Sequence, residues 1–330
     1  MLPSPLPSES LTSESSPDSL DAETCCGLRV DQYNATLIKR IDIHDDLFRV
    51  RVRPDAGIRP FEPGQYVAVG LGNWEPRLKP SQEENLEPKK MTKVVRRAYS
   101  ISCPMISEDG ELAPCDKLDY LEFYIALVRQ ASDPNGKPPA LTPRLFGLNQ
   151  GDRLVVESKI TGHYTLAGID SGDTILMLST GTGEAPHNAM TARLLHRGHH
   201  GRIINATTVR SRVDLGYERE HQVLMERFPQ YRYLAMTTRD PENLDPSHPR
   251  YVGKQYLQDM FTSGKLAEMA DDPLDPAKTH VFLCGNPAMI GLVKAGEAIP
   301  ARPGMLPLLS VAGFTNEVAG PGHVRFEKYW

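Results

Sequence analysis

The feature that most constrains this chain is a change of grammar near residue 168. Before it, short strand-like runs are separated by Gly, Pro and Asp. RVDQYNATLIKR (29–40), LFRVRVR (47–53), GQYVAVGL (64–71), AYSIS (98–102), LEFYIALV (121–128) and DRLVVES (152–158) make six. Such a series predicts an antiparallel barrel or sandwich. After it, continuous apolar strands, TILMLS (174–179), RIINATTV (202–209), YRYLAMTT (231–238) and HVFLCG (280–285), alternate with helical patterns such as EAPHNAMTARLLHR and KQYLQDMFTSGKL. That alternation predicts a parallel sheet covered by helices on both faces. The chain of 330 residues has room for both. The expected organisation is an acidic disordered tail (1–26), a six-stranded antiparallel β-barrel domain (27–167) and an α/β domain (168–330). The polar, Pro-containing stretch 72–95 reads as a loop inserted in the barrel.

Charge and cysteine content remove several function classes. The net charge of −5 resides in the first 25 residues, which hold Glu9, Glu14, Asp18, Asp21 and Glu23 and no Lys or Arg. The remainder is neutral overall, so nothing favours nucleic-acid binding. Five cysteines with no CxxC spacing argue against a zinc site, a cysteine-ligated cluster or a disulfide framework, and suit a reducing compartment. No apolar run nears the ~20 residues needed to span a bilayer. The opening lacks the pattern of a secretory or transit peptide, so a cytoplasmic protein is expected.

Several motifs could carry chemistry. In STGTGEAP (179–186), an apolar strand, a Gly-rich turn and a helix start make an anion site from backbone N–H groups and the helix dipole; a plain tight turn explains the glycines equally well. HVFLCGNPAMIG (280–291) places Cys284 at the carboxyl end of a buried strand, where open α/β sheets bind ligands, although a buried structural cysteine is the commoner explanation. Arg210, Arg239 and Lys254, with Tyr256 and Gln258 nearby, lie at or beyond strand ends on that same side. Three cations and an aromatic there suit a 2′-phosphate and a stacked adenine; solvated surface charge is the plain alternative for any one of them.

RRAYSIS (96–102) offers a further site. Alternation sends Arg97 and Tyr99 one way, with Ser100 opposite or at the edge of a bend. The set suits a flat anionic ligand, with Arg97 on a pyrophosphate, Tyr99 on a ring and Ser100 on a ring nitrogen; an edge strand with solvated charges is the alternative. Thr142 in LTPRLF reads as a helix N-cap with Pro143 following, a second place for a phosphate. The aromatic ending FEKYW (326–330) reads as a tail packed on the core or laid over a flat cofactor. His196, His199 and His200 read as a solvated helix end.

Taken in order, FEPGQY (61–66), RAYS (97–100), LTPRLFGLNQGD (141–152), GTGEAP (181–186), CGNPAMI (284–290) and EKYW (327–330) resemble the plant-type ferredoxin–NADP reductase superfamily, particularly its bacterial ferredoxin/flavodoxin–NADP reductases. The resemblance spans residues 28–330. It implies that the barrel binds FAD and the α/β domain NADP(H). By that resemblance Arg97 meets the FAD pyrophosphate, Tyr99 stacks on isoalloxazine and Ser100 lies near flavin N5. Thr142 starts a phosphate-binding helix, and Gly181, Thr182 and Gly183 form the NADP pyrophosphate turn. Cys284 lies near the nicotinamide and Glu327 by the active centre. Tyr329 covers the flavin, and Trp330 matches a bacterial-type ending. Thr238, Arg239, Lys254, Tyr256 and Gln258 look like the NADP adenosine site, with Arg210 a bacterial-type cation.

The implied catalytic set is Ser100, Cys284, Glu327 and Tyr329. The implied reaction is hydride transfer between NADPH and FAD, with single electrons exchanged with ferredoxin or flavodoxin by a monomeric enzyme. Rival readings are an NADH-using flavin reductase or diaphorase, and a flavin-binding electron-relay subunit of a larger complex.

Overall fold

The computed structural model describes residues 20–115, 117–133, 136–292, 302–316 and 320–328. Six strands form the first sheet: β1 (Ala35–His44), β2 (Leu47–Pro54), β3 (Tyr66–Gly72), β4 (Val94–Ser100), β5 (Leu121–Ala126) and β6 (Arg153–Val156). Their order is β4-β3-β6-β1-β2-β5, with every pair antiparallel. The two outer strands meet just past β4, where the Ser102 N–H donates to the Glu122 carbonyl oxygen at 2.9 Å. Inward-facing Phe48, Val50, Val52, Val67, Val69, Leu71, Phe123 and Leu154 fill the interior. Alternating apolar positions place them on one face of their strands.

The start of the first expected strand and the end of the expected tail form a helix. α1 (Ala22–Gln32) begins where Asp21 caps it, its carboxylate accepting from the Thr24 N–H at 2.7 Å. Residues 22–26 of the expected tail are therefore helical, while 1–19 lie outside the described residues. Residues 29–32 end this helix, and β1 starts only at Ala35. An Asp cap outweighs the β-branched residues that follow it.

The stretch expected as an inserted loop is tied down rather than loose. Glu75, 8% exposed, accepts two bonds from the Arg29 guanidinium at 2.8 Å each and one from the Tyr33 hydroxyl at 2.8 Å. Trp74 stacks on Tyr33. Further along, Arg144 pairs with Glu84 at 2.7 Å. A short helix, α2 (Pro88–Met91), precedes β4, so the last two residues of the expected loop are already strand. Another short helix, α3 (Thr142–Leu145), follows β5.

The second sheet is parallel and has five strands: β7 (Thr174–Thr180), β8 (Ile203–Val209), β9 (Tyr231–Thr237), β10 (Thr279–Gly285) and β11 (Val324–Lys328), in the order β11-β10-β7-β8-β9. β11 is absent from the sequence reading, which treats the chain end as a tail. One face packs α4 (Glu184–His196) and α5 (Glu218–Arg227); this core continues into the barrel through Leu47, Met105, Tyr124 and Tyr164. The other face packs α7 (Leu257–Thr262), α8 (Lys265–Ala270), α9 (Pro287–Ile290) and α10 (Met305–Val311), with α6 (Pro241–Leu244) short and peripheral. The pattern over 254–266 is broken into α7 and α8 by Gly264, which sits at φ +76°. His199 is buried, its ring bonded to the Asp173 carbonyl, not part of a solvated helix end. No described helix is long and apolar enough to cross a membrane.

Candidate functional site

The parallel sheet reverses its order between β7 and β10, and ligands on open α/β sheets bind at such a point beyond the strands' carboxyl ends. Both ends are built from motifs singled out above. After β7, Gly181–Thr182–Gly183 make a tight 3-10 turn into α4. After β10, Asn286 caps α9, its side chain accepting from the Ala288 N–H at 2.9 Å, with Pro287 as the first helical residue. The two ends interlock: the Asn286 N–H donates to Thr180 Oγ1 at 2.8 Å. A Cβ at Gly183 would lie 2.4 Å from the Cys284 carbonyl oxygen, and one at Gly285 2.7 Å from the Thr180 carbonyl oxygen, so both glycines are required by close backbone approach.

Cys284 is fully buried in β10. It is in register with Ser179 on β7 and Glu327 on β11. Burial pushes the Glu327 carboxyl above its ordinary range, with Lys328 partly opposing. Tyr329 and Trp330 lie outside the described residues.

Sequence reasoning missed Glu184, the first residue of α4. Its buried carboxylate accepts from Tyr233 OH at 2.8 Å and faces His221 Nε2 at 2.9 Å and Thr207 Oγ1 at 3.4 Å. Thr207 in turn bonds Ser179 at 2.8 Å. A carboxylate in the first turn favours the helix dipole. A charged residue directly behind Gly-Thr-Gly is the only signal the sequence holds.

The expected adenosine-site residues come together. The Arg210 carbonyl accepts from the Thr238 and Arg239 N–H groups at 3.2 and 2.8 Å, so the ends of β8 and β9 are joined. The Gln255 N–H donates to the Thr237 carbonyl at 3.0 Å, bringing Lys254 and Tyr256 to the same edge. Arg210, Arg239 and Lys254 are exposed and form no ion pair among the described residues. Thr238 and Gln258 are buried, and the Thr238 hydroxyl is turned to the Val209 carbonyl. Arg302, absent from the sequence reading, stacks on the Tyr256 ring at 3.8 Å while paired to Asp259.

On the barrel side, Arg97, Tyr99 and Ser100 lie on β4, whose outer edge carries no ladder before Ser102. Arg97 is exposed, and its guanidinium donates to the neighbouring Arg96 carbonyl. Tyr99 packs edge-on against Phe123, and burial raises its phenol above the ordinary value. Ser100 is buried. Thr142 does not cap its helix. Leu141 holds that position, and the Thr142 hydroxyl instead accepts from the Val128 N–H at 3.1 Å. The Gly181–Gly183 turn packs against β5, so the two sheets meet at the site.

This architecture defines a fold class in which an antiparallel barrel is joined to a dinucleotide-type parallel sheet. A family model described as an oxidoreductase NAD-binding domain matches residues 177–295. The ferredoxin–NADP reductase of Azotobacter vinelandii is 28% identical over 263 residues, 78% of this chain and 86% of that protein. The flavodoxin/ferredoxin–NADP reductase of Escherichia coli K12 is 26% identical over 288 residues, 87% of this chain and 94% of that protein. A solved ferredoxin NADP+ reductase from Neisseria gonorrhoeae, with bound FAD and NADP, shares the fold at a TM-score of 0.64 and 18% identity, covering 89% of this chain and 97% of that one. Along most of its length the chain is similar to bacterial ferredoxin–NADP and flavodoxin/ferredoxin–NADP reductases.

Proposed function

We propose that this protein is an FAD-dependent ferredoxin- or flavodoxin–NADP reductase, acting as a monomer in the cytoplasm. FAD, when bound, supplies the capacity to take a hydride from NADPH and release electrons singly. The residues suit that group: the exposed guanidinium of Arg97 for a pyrophosphate, the Tyr99 ring for a flat heterocycle and the Ser100 hydroxyl at the strand's end. Thr142, its hydroxyl already engaged by Val128, contributes backbone rather than a cap. Gly181, Thr182 and Gly183 would present N–H groups to the NADP pyrophosphate. Cys284 and Glu327 would flank the nicotinamide, with Glu327 able to hold a proton. Tyr329 would move aside to admit that ring.

The observation that carries the reading is the cluster of Arg210, Arg239 and Lys254. Exposed cations brought to one edge of the sheet, with no ion pair among the described residues, attract an anion there. A 2′-phosphate beside the dinucleotide turn is such an anion, whereas an NADH enzyme usually offers the ribose an acid. Partner choice is tested by following NADPH-driven cytochrome c reduction. The rate should rise severalfold on adding ferredoxin or flavodoxin, and a rate indifferent to both would refute the partner assignment.

A further inference from the structure

The two sheets meet on a buried layer of charge. Alternation in β2 aims Arg49 and Arg51 away from the barrel interior, the direction normally given to solvent. They are nonetheless 7% and 8% exposed, and Glu122, the neighbour of Arg51 on β5, is fully buried. Arg51 Nε donates to Glu122 Oε2 at 2.9 Å, and Arg49 Nη2 lies 3.5 Å from Oε1. The other unit supplies the remaining partners. Tyr217, just before α5, donates its hydroxyl to Glu122 Oε1 at 2.8 Å and is bonded to Ser102 Oγ at 2.9 Å. Its single proton goes to the carboxylate, so Ser102 is the donor to Tyr217. Arg49 lies over the Tyr217 ring at 3.9 Å and donates to Glu220 Oε1 at 2.7 Å. Glu220 Oε2 accepts from the Met105 and Ile106 N–H groups at 2.7 and 3.3 Å. Alongside, Tyr124 OH donates to the Asp214 carbonyl at 2.7 Å and accepts from the Gly216 N–H at 3.0 Å.

Two arginines and two carboxylates balance in charge here, and Arg51 also reaches the exposed Glu108 at 3.3 Å. Apolar packing tolerates a sliding contact, but this arrangement does not: displacing either unit takes Arg49 and two N–H donors from Glu220 and the Tyr217 hydroxyl from Glu122, and buried polar groups left unmet cost more than loosened apolar contact. Its location matters as well. Ser102 lies two residues past Ser100, and β5, which carries Glu122, packs against the Gly181–Gly183 turn. The bonds therefore join the strand proposed to hold the flavin to the unit proposed to hold the nicotinamide.

We propose that Tyr217, with Arg49, Glu122 and Glu220, is a positioning latch that holds the dinucleotide unit against the flavin unit in the single orientation that aligns hydride donor and acceptor. The proposal rests on the reductase reading and adds residues that touch neither cofactor. Hydride transfer is sensitive to sub-ångström alignment, and a displacement of about 1 Å can cost on the order of 100-fold in rate.

The test uses the full-length holoenzyme and two variants, Tyr217→Phe, which removes one hydroxyl, and Glu220→Gln. Stopped-flow flavin reduction by NADPH, FAD content and NADP+ affinity are measured for each. The latch predicts full FAD content, NADP+ affinity within about twofold of wild type, an unchanged KM for NADPH and hydride transfer slowed about tenfold or more in Tyr217→Phe. Should that variant fail to fold, Glu220→Gln must show the same split between kcat and KM. Reduction within twofold of wild type in both variants, or slowing that tracks lost FAD or NADP+ affinity, overturns the latch. A wild-type protein that NADPH does not reduce overturns the reductase reading and the latch with it.

Discussion

Cys284 on β10 stands opposite Glu327 on β11, and the same row sets Cys284 opposite Ser179 on β7. Residues level with one another in a parallel ladder project from the same face of the sheet. A carboxyl, a thiol and a hydroxyl therefore lie in one row from the edge strand β11 to the central strand β7, beside the turn that enters α4. The row brings the proposed proton-holding group, Glu327, level with the proposed nicotinamide neighbour.

Burial raises the Glu327 carboxyl from its ordinary value of 4.5. The folded chain then holds this proton more tightly than the unfolded chain does, so the contribution to stability is complete below that value and is lost as pH rises through the raised one. Relative to Glu327→Gln, the wild-type Tm should fall as pH rises from about 4 to 8 at fixed ionic strength. A difference independent of pH, or one of opposite sign, contradicts the burial argument.

His187 on α4 behaves oppositely. Burial drives its imidazole down to about 3, and its Nε2 meets Tyr164 OH at 2.7 Å. The unfolded chain takes up this proton near 6.5 and the folded chain does not, so stability is lost as pH falls from about 6.5 toward 3. Urea midpoints across that window should fall more steeply for wild type than for His187→Gln. Parallel curves contradict the prediction.

Arg239→Ala and Lys254→Ala should each weaken binding of 2′-phospho-AMP by roughly 10- to 100-fold, the worth of one charge-assisted hydrogen bond. Affinity for 5′-AMP should stay within about threefold, because only the 2′-phosphate contact is lost. Calorimetric titration of both nucleotides separates the outcomes, and equal losses for the two ligands would place these cations elsewhere than on the phosphate.

Glu75 joins α1 to the polar stretch after β3 by three hydrogen bonds. Glu75→Ala leaves the Tyr33 hydroxyl and the Arg29 guanidinium without it, at a cost of about 1–3 kcal/mol. Urea unfolding should show that loss. A midpoint like that of wild type would mean that α1 is held by its apolar contacts alone.

Period and punctuation in the sequence carry the division into antiparallel and parallel halves, since LFRVRVR alternates strictly and TILMLS is a short apolar run closed by Gly-Thr-Gly. Three features escape that logic. β11 is five residues long and reads as a tail, because nothing in HVRFEK announces an edge partner for β10. The strict alternation of β2 suggests solvated arginines, whereas a second unit covers that face; only tertiary packing decides whether an outward charge meets water or Glu122. Thr142 beside Pro143 looks like a helix cap, but the Val128 backbone takes its hydroxyl and Leu141 takes the position. Within the site, GTGEAP and CGNPAMI locate the strand ends, while the row from Ser179 to Glu327 depends on register, which no short motif encodes.

The most direct test of the central claim is anaerobic mixing of the purified protein with NADPH and, separately, NADH while the flavin absorbance near 450 nm is followed. The protein should be yellow, bleached rapidly by NADPH and at least tenfold more slowly by NADH, since one charge-assisted phosphate contact already accounts for that factor. A protein that stays colourless after incubation with FAD, or one bleached equally fast by both nucleotides, would contradict that claim.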